Sequence, residues 1–159
     1  MAQSPSAFHK AIQYLAIREH SELELRHKLA DKEYSEAEIQ AVLTRLIQEN
    51  LLSNQRFGEA FVRAKTKKGY GYIRISYDLK AKGLTPSQIE QSFEENAIDW
   101  DDLIEQVWSK KYSSVNNSFE INPKEKMKQW RFLQYRGFSA SQISSLFHRM
   151  ACTPEDDSS

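Results

Sequence analysis

Cysteine is all but missing: the 159-residue chain carries one, Cys152, so no disulfide can form within it. Nothing electropositive surrounds that thiol, and it reads as incidental. No apolar run approaches the roughly 20 residues that span a bilayer. The start, Met1-Ala2-Gln3-Ser4-Pro5-Ser6, has no basic stretch leading into an apolar one. A cytoplasmic protein without a membrane segment is expected. Net charge is missing too, at +0, so any electrostatic function must come from where the charges lie rather than from their sum.

The usual marks of catalysis are equally scarce. Gly69 and Gly71 are not followed by the third glycine and the Lys-Ser or Lys-Thr of a phosphate loop, and no strand leads into them. His9, His20, His27 and His148 lack metal-ligand spacing to one another or to Cys152. Asp99, Asp101 and Asp102 resemble a carboxylate cluster for Mg²⁺, but acids at a helix start are accounted for by the helix dipole. No serine sits in a recognisable nucleophile turn. We expect no enzyme, no metal and no cofactor, and read the protein as a binding module.

What the chain does have is one joint written three times. In Leu79-Lys80-Ala81-Lys82-Gly83-Leu84-Thr85-Pro86-Ser87-Gln88-Ile89, Gly83 is the left-handed residue that stops a helix, and Leu84 folds back on Leu79. Thr85 then caps a new helix, Pro86 suits its first position, and Gln88 completes a capping box. Leu84 also staples against Ile89, so one side chain serves both helices. The same offsets recur at Leu29, Tyr34, Ser35, Glu38 and Ile39, and at Leu133, Gly137, Phe138, Ser139, Gln142 and Ile143. Between positions 33, 83 and 137 the copies are 50 and then 54 residues apart, near the period of stacked helical repeats. The first copy has Glu33 where the others have glycine. It must either take a left-handed backbone at a cost of roughly 1–2 kcal/mol or end its helix another way.

Three modules of three helices follow, at 6–50, 53–97 and 99–151, and an elongated molecule is expected. In the first, Ser6 caps a helix whose face is Phe8, Ile12 and Leu15; Leu25 and Leu29 share a second helix; Ile39, Val42, Leu43, Leu46 and Ile47 mark a third. In the second, Phe57, Ala60, Phe61 and Ala64 form the inward stripe after Ser53, Gly69 to Tyr72 is a loop, and Ile75 and Leu79 point inward. In the third, Leu103, Ile104, Val107 and Trp108 precede a loop at Ser113 to Ser118. Met127, Trp130, Phe132 and Leu133 then supply apolar surface after Pro123, and Thr153 to Ser159 is a polar tail expected to fray.

Charge alternates along this frame. Glu19 to Glu49 holds eight acidic and four basic residues; Ser53 to Lys82 holds eight basic and two acidic; Glu90 to Glu105 holds seven acidic and none basic; Lys110 to Arg136 holds seven basic and two acidic. Cations beside tyrosines suit a polyanion or an acidic protein groove, by phosphate contact or ring stacking. The alternative is core tyrosines with a rim of solvated lysines. The candidate binding residues are Arg56, Arg63, Lys65, Lys67, Lys68, Tyr70, Tyr72, Arg74, Lys80, Lys82, Lys110, Lys111, Lys128 and Arg131. We group them as one patch of Arg63, Lys67, Lys68 and Arg74 and a second of Lys110, Lys111, Lys128 and Arg131.

Phe61-Val62-Arg63, Gly69-Tyr70-Gly71, Arg74-Ile75 and Leu79 with Lys82-Gly83-Leu84 resemble the bacterial RecX regulatory-protein family. The resemblance continues through Ile98-Asp99-Trp100, Lys111-Tyr112, Arg131-Phe132-Leu133 and Tyr135-Arg136-Gly137-Phe138, over almost the whole chain. It implies an all-α fold of three tandem three-helix repeats stacked into an elongated, curved solenoid. It also implies a non-enzymatic regulator of the RecA recombinase, lying in the groove of the RecA-DNA filament and restraining its extension, ATPase, strand exchange and co-protease activity; a monomer is expected. None of that function is read from periodicity or charge. The chain departs from the family at Tyr72, often a proline there, and at Glu33. The competing classes are a helix-turn-helix-like regulator that binds duplex DNA without RecA, and a plain helical scaffold.

Overall fold

The computed structural model describes residues 5–112 and 122–151. Cys152, the Ser113 to Ser118 loop and the Thr153 to Ser159 tail lie outside them. Among the described residues there are nine α-helices and no strand: α1 (Ala7–Ile17), α2 (Glu22–Asp31), α3 (Glu36–Gln48), α4 (Asn54–Lys67), α5 (Tyr72–Ala81), α6 (Pro86–Asn96), α7 (Trp100–Tyr112), α8 (Pro123–Tyr135) and α9 (Ala140–Ala151). None is long and apolar enough to cross a membrane. Contacts divide the chain into two compact units. The first holds the residues up to Arg63 with Asp78–Asn96, and the second holds Ala64–Tyr77 with the residues from Ala97 onward.

All three joints form as the sequence dictates. At each helix end a backbone N–H reaches back five residues to a carbonyl: Tyr34 to Leu29 at 3.3 Å, Leu84 to Leu79 at 3.2 Å and Phe138 to Leu133 at 3.2 Å. Each following helix starts in a reciprocal capping box, of Ser35 with Glu38, Thr85 with Gln88 and Ser139 with Gln142. Gly83 and Gly137 have φ of 90° and 101°, and Glu33 adopts the same left-handed conformation at 68°. The first joint therefore keeps the geometry and bears the strain. The same stop also ends α3 at Asn50, with Leu51 N–H on Leu46, and α4 at Gly69, with Tyr70 N–H on Lys65.

In the first unit α1, α2 and α3 pack on one another around Ala11, Leu25, Leu29, Ile39, Leu43, Leu46 and Leu52. Full burial of each larger side chain contributes about 1.5–3 kcal/mol before entropy is counted. On α1 the enclosed residues are Ala7 and Ala11, while Phe8, Ile12 and Leu15 cover the edge. Ile47, at helical spacing with the enclosed residues of α3, is exposed. The inward face of α4 also differs from the expected stripe: Phe57, Gly58 and Val62 are buried and Ala64 is exposed. Gly58 sets that face, because a methyl there would lie 2.1 Å from the Ser92 hydroxyl and 2.9 Å from Leu84. Small size, not hydrophobicity, selects the residue.

The second unit packs α7, α8 and α9 around Ile104, Leu133, Phe138, Ile143 and Leu146, flanked by Trp100, Trp108, Trp130 and Phe132. Met127 is exposed. On the same helix Gln129 is fully buried, and its side-chain oxygen accepts the Trp108 indole N–H at 2.8 Å. A buried amide is tolerable because it is partnered.

Candidate functional site: a cationic joint in the second unit

The turn between α8 and α9 docks on the loop between α4 and α5. Gly71 donates its N–H to the Arg136 carbonyl at 2.7 Å, and Ile73 donates to the Gly137 carbonyl at 3.0 Å. The approach needs glycine on both sides. A Cβ on Gly71 would lie 2.5 Å from the Gly137 carbonyl, and one on Gly137 would lie 2.5 Å from Cβ of Arg74. Two backbones meet there without side chains between them.

That close approach brings distant cations onto aromatic rings. The Arg74 guanidinium lies 5.1 Å from the Tyr135 ring centre and 4.6 Å from that of Tyr70. Arg136 follows, 5.2 Å from Tyr70 and 5.3 Å from Phe132. The Lys111 ammonium then sits 3.9 Å from Phe132. The order Tyr135, Arg74, Tyr70, Arg136, Phe132, Lys111 is thus an alternation of ring and cation. Each step is worth about 0.5–1 kcal/mol where exposed. Arg136 is fixed further by donating to the Lys68 carbonyl at 2.9 Å.

Beside the ladder is a cleft of about 550 Å³, lined by Lys67, Lys68, Lys110, Lys111 and Arg136 over an apolar floor of Leu103, Val107 and Phe132. Among the described residues lining it, none is acidic. Five cations facing one recess repel each other, and an anion placed there relieves that repulsion. The shape and charge suit phosphate or carboxylate groups.

The corresponding joint in the first unit shows the contrast. There the α5–α6 turn sits on the start of α2, with the missing Cβ of Gly83 placed 2.9 Å from Leu23. Lys82, before the glycine, is 3.2 Å from Glu24, and Arg18 grips the same carboxylate with bonds of 2.8 and 3.0 Å. Burial works to raise the Glu24 pKa, but the hydrogen bonds and charges of Arg18 and Lys82 outweigh it and hold it at about 2. Fifty residues on from Glu24 stands Arg74, and fifty on from the buried His20 stands Tyr70. One joint is neutralised; its counterpart has a guanidinium in place of the carboxylate.

The sequence-derived residues distribute unevenly over this geometry. Lys67, Lys68, Lys110 and Lys111 converge on the cleft, so the two expected patches are regrouped. Lys65 lies 5.4 Å from the Tyr70 ring, and Tyr72 meets Trp100 edge-on at 6.0 Å. Lys128 and Arg131 line a separate recess with Lys124 and Glu125. In the first unit, Arg56 is committed to Glu19 at 3.0 Å and to Asn50, and Lys82 to Glu24. Arg63 and Lys80 are exposed in the first unit. Arg136 and Tyr135 were not among the candidates. Arg136 passes in the sequence for a helix-ending cation, and the tyrosine beside it was the available signal.

Fold and site together define an all-helical tandem-repeat protein with a cationic joint. Comparison with known proteins gives the family. Models described as the first, second and third three-helix domains of RecX match residues 7–46, 53–92 and 99–147. Regulatory protein RecX of Pseudomonas fluorescens is 40% identical over 136 residues, 86% of each chain. That of Pseudomonas savastanoi pv. phaseolicola is 37% identical over the same shares. The crystal structure of RecX from Lactobacillus salivarius superimposes with a TM-score of 0.70 at 20% identity, covering 91% of this chain and 94% of that one. The chain belongs to the RecX family, and its three tandem three-helix domains are those of that family.

Proposed function

We propose that this protein regulates the RecA recombinase by binding in the groove of the RecA-DNA filament and inhibiting its extension, ATPase, strand exchange and co-protease activity. It acts by occupancy rather than catalysis, as a cytoplasmic monomer without metal or cofactor. The observation that carries the reading is the run of three RecX domains in order along this chain, together with its similarity to proteins named regulatory protein RecX. The charged joint supports it physically. A filament on DNA is a dense polyanion, and fixed cations on a rigid surface bind it with little ordering cost.

The test is RecA ATPase on single-stranded DNA with increasing amounts of this protein. A fall in the rate is expected, with at least ten times more of a Lys68→Glu/Lys110→Glu double variant needed for the same fall. A recombinase indifferent to the purified wild-type protein refutes the reading. Tight, sequence-preferring duplex binding without RecA would favour the helix-turn-helix-like alternative.

A further inference from the structure

We infer that the charged joint of the second unit is a binding site for single-stranded nucleic acid in its own right, without the recombinase. Phosphates sit among the cleft lysines, and an unpaired base stacks on Tyr135. The inference starts from the comparison of the two joints. In the first unit the same docking of a glycine turn on a helix start is completed by a carboxylate, Glu24, between two cations. Docking a turn in this fold therefore does not need a cluster of like charges. At the second joint Arg74 takes the carboxylate's place, Arg136 joins it on the Tyr70 ring, and four lysines face the adjoining cleft. Such an arrangement costs self-repulsion that packing alone does not require, and a polyanion would offset it.

The rings narrow the class of polyanion. Single-stranded nucleic acid presents phosphates and flat base faces in alternation, and sites for it combine a positive groove with aromatic platforms. The ladder offers that alternation in rigid form, since each cation is already held over a ring and loses little freedom on binding. Its outer end is Tyr135, which is 75% exposed. One side of that ring carries Arg74, and the surface left in solvent is available to a base. A duplex hides its base faces and would use the lysines but not the tyrosine. An acidic peptide would likewise satisfy the cations without needing a ring.

The test is fluorescence anisotropy of a labelled oligothymidylate, a duplex of mixed sequence and a labelled polyglutamate peptide, each with the full chain alone at low salt. Arg74→Glu is the informative variant, because it rebuilds at the second joint the acid-base pairing seen at the first and should fold normally by circular dichroism and thermal melting. It should weaken oligothymidylate binding at least tenfold. Tyr135→Ala, at an exposed ring, should weaken single-strand binding about five- to a hundredfold while leaving duplex binding and the melting temperature unchanged; Tyr135→Phe should bind as wild type. Lys68→Glu should lower the slope of log affinity against log salt by about one. The inference is overturned if the wild type binds no oligothymidylate, if Arg74→Glu and Tyr135→Ala bind it as wild type does, or if polyglutamate or duplex is bound equally well. RecA is absent from every arm, so none of these results bears on the ATPase assay, which can succeed or fail separately.

Discussion

Replacing Gly71 by alanine should destabilise the second unit by about 1–3 kcal/mol, although the backbone there lies outside the left-handed region. Positive φ occurs at Gly69, Gly83 and Gly137 but not at Gly71, so the cost is steric alone. The added methyl would stand 2.5 Å from the carbonyl carbon and oxygen of Gly137 and 2.7 Å from the Phe138 nitrogen, about 1 Å inside ordinary contact. These neighbours are backbone and cannot rotate aside. Compressing the joint costs about 1–3 kcal/mol as overpacking. Parting it lengthens the Gly71 to Arg136 and Ile73 to Gly137 hydrogen bonds, each worth about 0.5–1.5 kcal/mol net. The protein will mix the two routes. Urea unfolding should show a lower midpoint with an unchanged slope, and the amides of residues 71 and 73 should exchange faster. Gly71→Ser sharpens the test. Serine is the better helix cap by local rules, and Ser21, fifty residues earlier, does cap α2 by accepting the Glu24 N–H at 3.1 Å. If Gly71→Ser raises stability, local capping outweighs the backbone contact and the account of the joint is wrong.

Local chemistry made the fold legible and long-range placement hid the site. The stops and starts at Glu33, Gly83 and Gly137 are written in a handful of adjacent residues, and each forms as written. The equivalent stop at Gly69 went unread because the glycines and tyrosines after it looked like a loop. Apolar counting placed Ala64 on the inward stripe of α4, where the structure encloses Gly58 and Val62, and it passed over Gln129, which α8 buries. A glycine chosen for closeness and a glutamine chosen for one indole N–H carry no periodic signal. Charge density found the lysines of the cleft, but it could not pair Lys67 and Lys68 with Lys110 and Lys111, because the chain between them does not reveal which helices meet. Nor could it tell Arg56 and Lys82, already matched to carboxylates, from Arg74, which stands on rings contributed by residues on both sides of it.

Two further outcomes follow from the first unit. Glu33→Gly should raise the thermal midpoint slightly: relief of about 1–2 kcal/mol of left-handed strain exceeds glycine's entropic penalty of about 0.5–1 kcal/mol, and a fall in the midpoint would mean the side chain contributes more than its backbone costs. Glu24→Gln should cost about 1–2 kcal/mol at neutral pH, the scale of hydrogen bonds to a charged group, reduced for the partial exposure of Arg18 and Lys82. Its pH dependence is the sharper reading. The Glu24 carboxyl has a pKa of about 2 when folded against 4.5 as the ordinary value, so between those values the unfolded chain binds the proton and the folded chain does not. Stability from this group is complete above pH 4.5 and drains away as the pH falls towards 2. The gap between wild type and Glu24→Gln should therefore close over that interval in urea titrations. Parallel acid limbs in the two proteins would show that Arg18 and Lys82 do not hold the carboxylate as the geometry requires, and with that the contrast between a neutralised first joint and a charged second one would lose its physical basis.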